Sequence, residues 1–475
     1  MPGTARTGPV AQGSFTTGAG ATRLASWHVS MISVGGIMGA GLLVGASATI
    51  SAAGPAVLLS YLLAGGFIWA VMLILEQLAV RSGGRGSFIS HVGQALGPRW
   101  SFVVGWSYAF LWIVTAGAQA VAGGMLVQSL CGVPALAGAV GFLVVALLLN
   151  LVSVRTYGRT ESALSVLKLV ALALFVVLCA GWGLLTPHAG QQAAAHLWGD
   201  GGFFPLGGWA VLAVIPMIVQ TFTGCEIAIV AAADSDDPQG NIRRAVNRLP
   251  VMVLLFYFTA LLAILSVISW RNVVSGQSPF LAVMRRLDIG MAEGFVVGVT
   301  LLAILSCLNS AKYVVSRVMN ELAAGNCAPR FLQQASKGGV PVRAVFVTSA
   351  LELLIVCSAA WSPSRVYALL LGASGSLIMI DYFLAALAFL HEGRATSARS
   401  KAGRKTRVMA LAVVGVVPGL FATMLALRAA RLDALLALGV VGVLTGIGFS
   451  PFGPAVMRQP PGDAPERDRH GITAG

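Results

Sequence analysis

The sequence predicts an all-α integral membrane protein of twelve transmembrane helices, organised as a 5+5 inverted repeat with discontinuous helices 1 and 6 plus two additional C-terminal helices. Three observations carry that expectation: the composition, the regular spacing of apolar runs, and glycine-bearing interruptions in runs 1 and 6. Of the 475 residues, 57% are hydrophobic and 10% charged, with a mean hydropathy of +0.84. Soluble domains average about 45–50% apolar and about 25% charged residues, so water is not the main solvent of this chain.

Crossing a bilayer takes about 20 predominantly apolar residues. Such runs fall at roughly 28–48, 54–79, 101–131, 135–153, 161–185, 208–232, 249–270, 291–322, 342–361, 365–390, 408–428 and 434–455. The expected organisation is one membrane domain over 27–456, with repeat one at about 27–185, repeat two at about 205–390 and helices 11–12 at about 408–455. Residues 1–26 and 457–475 read as disordered tails. The first 25 residues lack an apolar h-region, so no cleavable signal peptide is expected.

The formal charge of +14 follows the membrane rather than nucleic acid. With both termini inside, 23 of the 31 basic residues fall on cytoplasmic segments, six outside and two within spans. That asymmetry sets the orientation, and no compact basic domain or aromatic interleaving points to nucleic acid. The six cysteines are scattered, mostly in apolar runs, with neither zinc spacing nor a disulfide framework.

Run 1 contains SVGGIMGAG at 33–41, four glycines in nine residues. A glycine costs a helix interior about 1 kcal/mol relative to alanine, so the helix is expected to break there. Run 6 has Pro216 and then TFTGCE at 221–226, a glycine beside an acid in an apolar run. Interrupted helices at corresponding positions of two halves mark the midplane site of an inverted-repeat transporter. Backbone N–H groups of Gly39, Ala40 and Gly41 would then face a carboxylate at the positive end of a half-helix, unless these glycines serve only close helix packing. Freed carbonyls near Thr221, Phe222 and Gly224 would accept from an ammonium, and Phe222 would cap the site or be an ordinary core aromatic. The pair of breaks suits a zwitterionic α-amino acid, with the site built from Ile37, Gly39, Ala40, Gly41, Gln220, Thr221, Phe222 and Gly224.

Ordered motifs along the chain resemble those of bacterial amino acid permeases of the amino acid–polyamine–organocation superfamily. They are GGIMGAGLLVG (35–45), AGPAVLLSYLLAG (53–65), Glu76 with GSF (86–88), GW (105–106), Glu161 spaced to Lys168, F-x-G-x-E (222–226), AADSDDP (232–238), IRRAVNRLP (242–250), LSCLNSAKYVVSR (305–317), APRFL (328–332) and GGVPVRA (338–344). His91, Gly83, Asp234 and Lys312 depart from the usual pattern. The resemblance implies a secondary transporter of the bacterial inner membrane, both termini cytoplasmic, importing an amino acid or close analogue by proton symport. Exchange of amino acid against product is the near alternative; a membrane sensor or membrane enzyme is the distant one.

Lys168 resembles the span 5 lysine that takes the place of a sodium ion in some related carriers, and its protonation would link spans 1, 5 and 8. Its bland alternative is snorkelling to the interface. Glu226, an acid near the membrane centre, is expected to brace the span 6 break or relay a proton. Lys312, Glu352 and Asp381 also lie within runs, and ion pairing in the bundle interior is their default reading. Glu76 with the GSF loop fits a gating linker or a solvated helix end, and DSDDPQGNIRR (234–244) a charged latch or a solvated loop. No HExxH, GxSxG, histidine cluster or GxxxxGK[ST] loop occurs, so no enzymatic chemistry, cofactor or metal is expected. Accumulation must draw on an ion gradient or exchange, leaving amino acid, protons and lipid as partners.

Overall fold

A computed structural model describes residues 37–81, 87–152, 154–229, 238–288, 290–334, 340–392 and 401–450. Both tails, residues 28–36 of run 1, Gly83 and the DSDD stretch at 234–237 lie outside the described residues. All regular structure among the described residues is helical. Nine helices there are long and apolar enough to cross a membrane, and Ala135–Leu151 is a shorter apolar helix.

In chain order the helices are α1 (Ala40–Leu43), α2 (Ala46–Ala53), α3 (Val57–Arg81), α4 (Phe88–Leu96), α5 (Pro98–Cys131), α6 (Ala135–Val152), α7 (Val154–Leu185), α8 (Ala189–Ala194), α9 (Gly208–Ala213), α10 (Ile215–Phe222), α11 (Pro238–Val267), α12 (Pro279–Leu287), α13 (Gly290–Ala324), α14 (Val342–Ser358), α15 (Pro363–Glu392), α16 (Lys401–Ala426) and α17 (Arg428–Phe449). Several helices start well before the apolar run that announces them: α11 at 238 rather than 249, α7 at 154 rather than 161, α16 at 401 rather than 408. Helical hydrogen bonding continues out of the apolar layer into charged sequence, which hydropathy does not count as helix. α4, α8 and α12 are short helices that the apolar runs did not announce, because none is long enough to span.

The turn between α2 and α3 depends on Gly54. Its φ of +63° is left-handed, and an added Cβ would stand 2.5 Å from Pro205 Cγ. The long α5 is the central post. It packs most extensively against α13 and also carries α6, α15, α4, α17 and α14. Without a hydrophobic drive between helices in lipid, small residues bring backbones together. A Cβ on Gly124 of α5 would meet the Ala135 carbonyl oxygen at 2.1 Å, and one on Gly375 of α15 the Pro216 carbonyl oxygen at 1.8 Å. α5, α10, α13 and α15 therefore converge on the interrupted segments.

Candidate functional site

Both interruptions are present, at the glycines the sequence singles out. Gly39 is extended (φ −131°, ψ −152°) ahead of the single turn α1, and Val44 (φ −122°, ψ −45°) separates α1 from α2. A side chain at Gly39 would collide with Cys307 of α13, whose Cβ and Sγ lie 2.5 and 2.6 Å from the added carbon. In run 6, α10 ends at Phe222, Thr223 is extended (φ −59°, ψ 133°) and Gly224 has φ +112°. The break therefore sits at Thr223–Gly224, while Pro216 lies in the first turn of α10.

Gly41 and Thr221 bring the two interrupted runs into contact, with Thr221 Cγ2 3.2 Å from a Cβ placed on Gly41. Beside this contact is a cavity of about 20 Å³ lined by Ile37, Gly41, Gln220, Thr221 and Thr223 of the breaks, Trp112, Thr115, Ala118 and Gln119 of α5, Cys307 of α13, and Tyr367, Leu371 and Ser374 of α15. Such a space holds about one water. A molecule the size of an amino acid would fit only if the walls parted.

Of the expected donors, the Gly39 N–H donates to the Ile37 carbonyl at 3.1 Å and the Ala40 N–H to Gln119 Oε1 at 2.8 Å. The Ala40 carbonyl accepts from the Tyr367 hydroxyl at 2.9 Å. In run 6 the Phe222 and Gly224 carbonyls accept from the N–H groups of Cys225 and Ile227, at 3.2 and 3.1 Å. The Gly39 and Ala40 N–H groups and the Phe222 and Gly224 carbonyls, predicted to lie free, thus have protein partners. Gln119, Tyr367 and helical turn contacts hold the positions that a ligand would claim.

Tyr257 of α11 ties the two breaks together. Its hydroxyl stands 3.3 Å from the Ile37 carbonyl oxygen and 3.2 Å from that of Thr221, so its one proton is shared between them. Its ring packs against Phe222 (centroids 5.3 Å apart) and Tyr61 (6.1 Å). Phe222 is fully buried in that cluster and does not line the cavity; as a gate it would have to move. Ile37, Gly41, Gln220 and Thr221 do line it, whereas Gly39, Ala40 and Gly224, expected in the site, do not.

Glu226 braces the second break. One carboxylate oxygen accepts from the Tyr108 hydroxyl at 2.9 Å, the other from the Gly224 N–H at 3.0 Å and the Tyr382 hydroxyl at 3.1 Å. Three donors compensate its removal from water.

Lys168 is 4% exposed, which rules out snorkelling. Its ammonium donates to Ser306 Oγ at 2.6 Å and lies 3.6 Å from Glu161 Oε1, while Ser306 also donates to Glu161. Lys168 and Gly39 line a second, largely apolar cavity of about 40 Å³ with Met38, Thr300 and Ala303. A titratable cation thus sits where run 1, α7 and α13 meet.

Lys312 and Glu352 form a fully enclosed ion pair between α13 and α14. Ser87 of the GSF motif donates to Glu321 Oε1 at 2.6 Å, and Glu76 interacts electrostatically with Arg243. Among the described residues no group of three or more His, Cys, Asp or Glu side chains could hold a metal.

Sequence reasoning missed Gln119, Thr115, Trp112, Tyr257 and Tyr367. Each belongs to an otherwise apolar helix, and single polar or aromatic residues there have no periodic signal.

The sequence profile of the family described as Amino acid permease matches residues 28–446. The gamma-aminobutyric acid permease of Bacillus subtilis (strain 168) is 31% identical over 76% of this chain and 78% of that protein. The corresponding permease of Escherichia coli (strain K12) is 33% identical over 77% and 79%, and its aromatic amino acid transport protein AroP 31% over 81% and 84%. A solved Na+-coupled sialic acid symporter, in a substrate-bound outward-open state, shares the fold with a TM-score of 0.56 and 13% identity over 83% of this chain and 90% of that one. These relatives are membrane transporters rather than enzymes, and this chain, a multi-pass bacterial membrane protein, belongs to the amino acid permease family.

Proposed function

We propose that this permease is a proton-driven, sodium-independent importer that binds its amino acid between the two helix breaks. The observation that carries the reading is Lys168: a buried ammonium, bonded to Ser306 of α13 and lining one cavity with Gly39 of run 1. A fixed cation at that junction excludes sodium. Desolvation disfavours the charged form of any buried amine, so a lysine whose solvation changes with conformation exchanges a proton between states. By linkage, that difference lets a pH gradient drive substrate uptake.

A twelve-helix, 5+5 inverted-repeat arrangement with two further helices is part of the same proposal, and helix lengths support it. α3 and α11 have 25 and 30 residues, α5 and α13 have 34 and 35, α6 and α14 have 18 and 17, and α7 and α15 have 32 and 30. The two breaks then occupy equivalent places. Repeats over 27–185 and 205–390, helices 11–12 over 408–455, an inner-membrane location and cytoplasmic tails belong to this reading.

The substrate carboxylate would displace Gln119 from the Ala40 N–H, with Gly41 giving close approach. The ammonium would be taken by the second lone pair of the Thr221 carbonyl, and by the Ile37 carbonyl once the Gly39 N–H or the Tyr257 hydroxyl releases it. Uptake of a panel of labelled amino acids, γ-aminobutyrate and aromatic residues included, into sodium-free proteoliposomes with and without an inward proton gradient tests this. Accumulation of at least one of them only under the gradient supports the reading. Gradient-independent exchange alone, or a sodium requirement, overturns it.

A further inference from the structure

The buried acids of the bundle divide by what surrounds them. Glu161 accepts from Ser306, Glu226 from three donors, Glu321 from Ser87 and Glu352 from Lys312. Asp381 of α15 is as deeply enclosed, at 0% exposed, yet neither carboxyl oxygen has a hydrogen-bond partner. Ser107 of α5 lies near enough to interact, but its hydroxyl is also without a partner and not in bonding geometry. Glu226 is within electrostatic reach.

We infer that Asp381 is a proton-binding site, the neutral partner of the ionised Glu226, and that it discharges its proton when the permease changes state. An ionised carboxylate in this position would be buried with no donor in bonding geometry, only the Ser107 hydroxyl within reach, and beside a second acid, two penalties that a bound proton removes. Two neighbouring acids in contrasting surroundings divide into one charged and one neutral group by the same physics.

Among the described residues the surroundings supply no compensating positive charge. α5 contributes Ser107 and Tyr108, the run 6 break Cys225 and Glu226, and α15 itself Tyr382, none of them a cation. α4 contributes His91, whose burial holds its imidazole down at about 4, so it is uncharged at neutral pH. On α17, Asp433 packs against Gly372, nine residues or roughly 13 Å along the helix from Asp381. On α16, Lys405 stacks on Trp69, and on α3, Arg81 stacks on Phe389.

The place also has a route of discharge. Tyr108 lies one turn from the cavity residue Trp112 on α5, and its other side meets Phe88 of α4 edge-on at 4.8 Å. Glu226, bonded to Tyr108, therefore lies between the cavity and α4, which packs against both α5 and α15. If α4 parts from α15, entering water accepts the Asp381 proton. The O–H bond breaks, the electron pair stays on the carboxylate, and the free Ser107 hydroxyl donates to it. Return of a proton from water on the opposite side resets the group.

This deepens the proton-driven reading and rests on it only for the coupling step. The test is infrared spectroscopy of the full chain in proteoliposomes at neutral pH, reading the C=O stretch of protonated carboxyl groups. The expected result is a protonated-carboxyl band in the wild type that loses one group's intensity in Asp381→Asn and keeps it in Glu226→Gln. A wild-type spectrum without such a band, or a band that Asp381→Asn leaves unchanged, overturns the inference. Asp381→Ser serves if the Asn variant does not reach the membrane. In uptake, Asp381→Asn should flatten the pH profile while sparing exchange, which a merely structural residue would not do. Sodium-driven uptake would defeat the coupling scheme without altering the spectrum, so the two failures are distinguishable.

Discussion

The Lys312–Glu352 pair gives the most quantitative prediction. Both side chains are fully buried, Lys312 also donates to Ser349 Oγ at 2.7 Å, and Glu352 Oε1 has no partner. Replacing Lys312 by Met strands a carboxylate with one oxygen already unsatisfied; replacing Glu352 by Leu strands an ammonium on a single serine. Breaking a buried pair from one side costs about 3–5 kcal/mol, which is roughly two to three and a half decades in the unfolding equilibrium. The double variant Lys312→Met/Glu352→Leu removes both charges into apolar side chains of similar length and is expected near wild type or about 1–4 kcal/mol above it. Equilibrium unfolding in mixed micelles, followed by the fluorescence of the ten tryptophans, measures all three. Single variants within about 1 kcal/mol of wild type, or a double variant as damaged as the singles combined, would refute the reasoning. The double variant should also transport normally, because neither residue lines the cavity.

Three further outcomes follow from the geometry. Gly41→Val, whose first added carbon already crowds Thr221 at 3.2 Å, and Gly224→Val, which forces a branched residue to φ +112°, should each abolish uptake while leaving the protein inserted; wild-type uptake by both would remove the proposed site. Tyr257→Phe deletes the hydroxyl shared by Ile37 and Thr221, worth about 1 kcal/mol, so substrate affinity should shift by about fivefold in a binding assay, with insertion unchanged. His91, at about 4 in the fold against 6.5 as its ordinary value, should contribute stability that is present above pH 6.5 and is lost as pH falls through 6.5 toward 4, since only the unfolded chain binds that proton there. His91→Phe should flatten that acid limb in a thermal-shift series, and an unchanged limb would show that other groups produce it.

Much of this was legible in the sequence because lipid enforces it. Apolar run length announces the spans, and Gly39, Gly41 and Gly224 announce the breaks because few other residues tolerate those backbones or that proximity. The isolated acids and lysines stood out for the same reason: Glu226 and Lys168 each proved to hold a specific hydrogen-bonded position. What stayed hidden depends on contacts between remote elements. Tyr257 reaches Ile37 across 220 positions and Tyr367 reaches Ala40 across 327, and nothing local marks either tyrosine. The state of the cavity was hidden too. Gln119 occupies the Ala40 amide across 79 positions, a tertiary contact that no motif records.

The measurement that bears most directly on the account is substrate-induced proton entry, read with a pH dye sealed inside sodium-free proteoliposomes. Adding the transported amino acid outside should acidify the lumen of wild-type vesicles, and Lys168→Ala vesicles should show no acidification while retaining exchange of labelled substrate. Acidification that requires sodium, or that persists in full in Lys168→Ala, would contradict it.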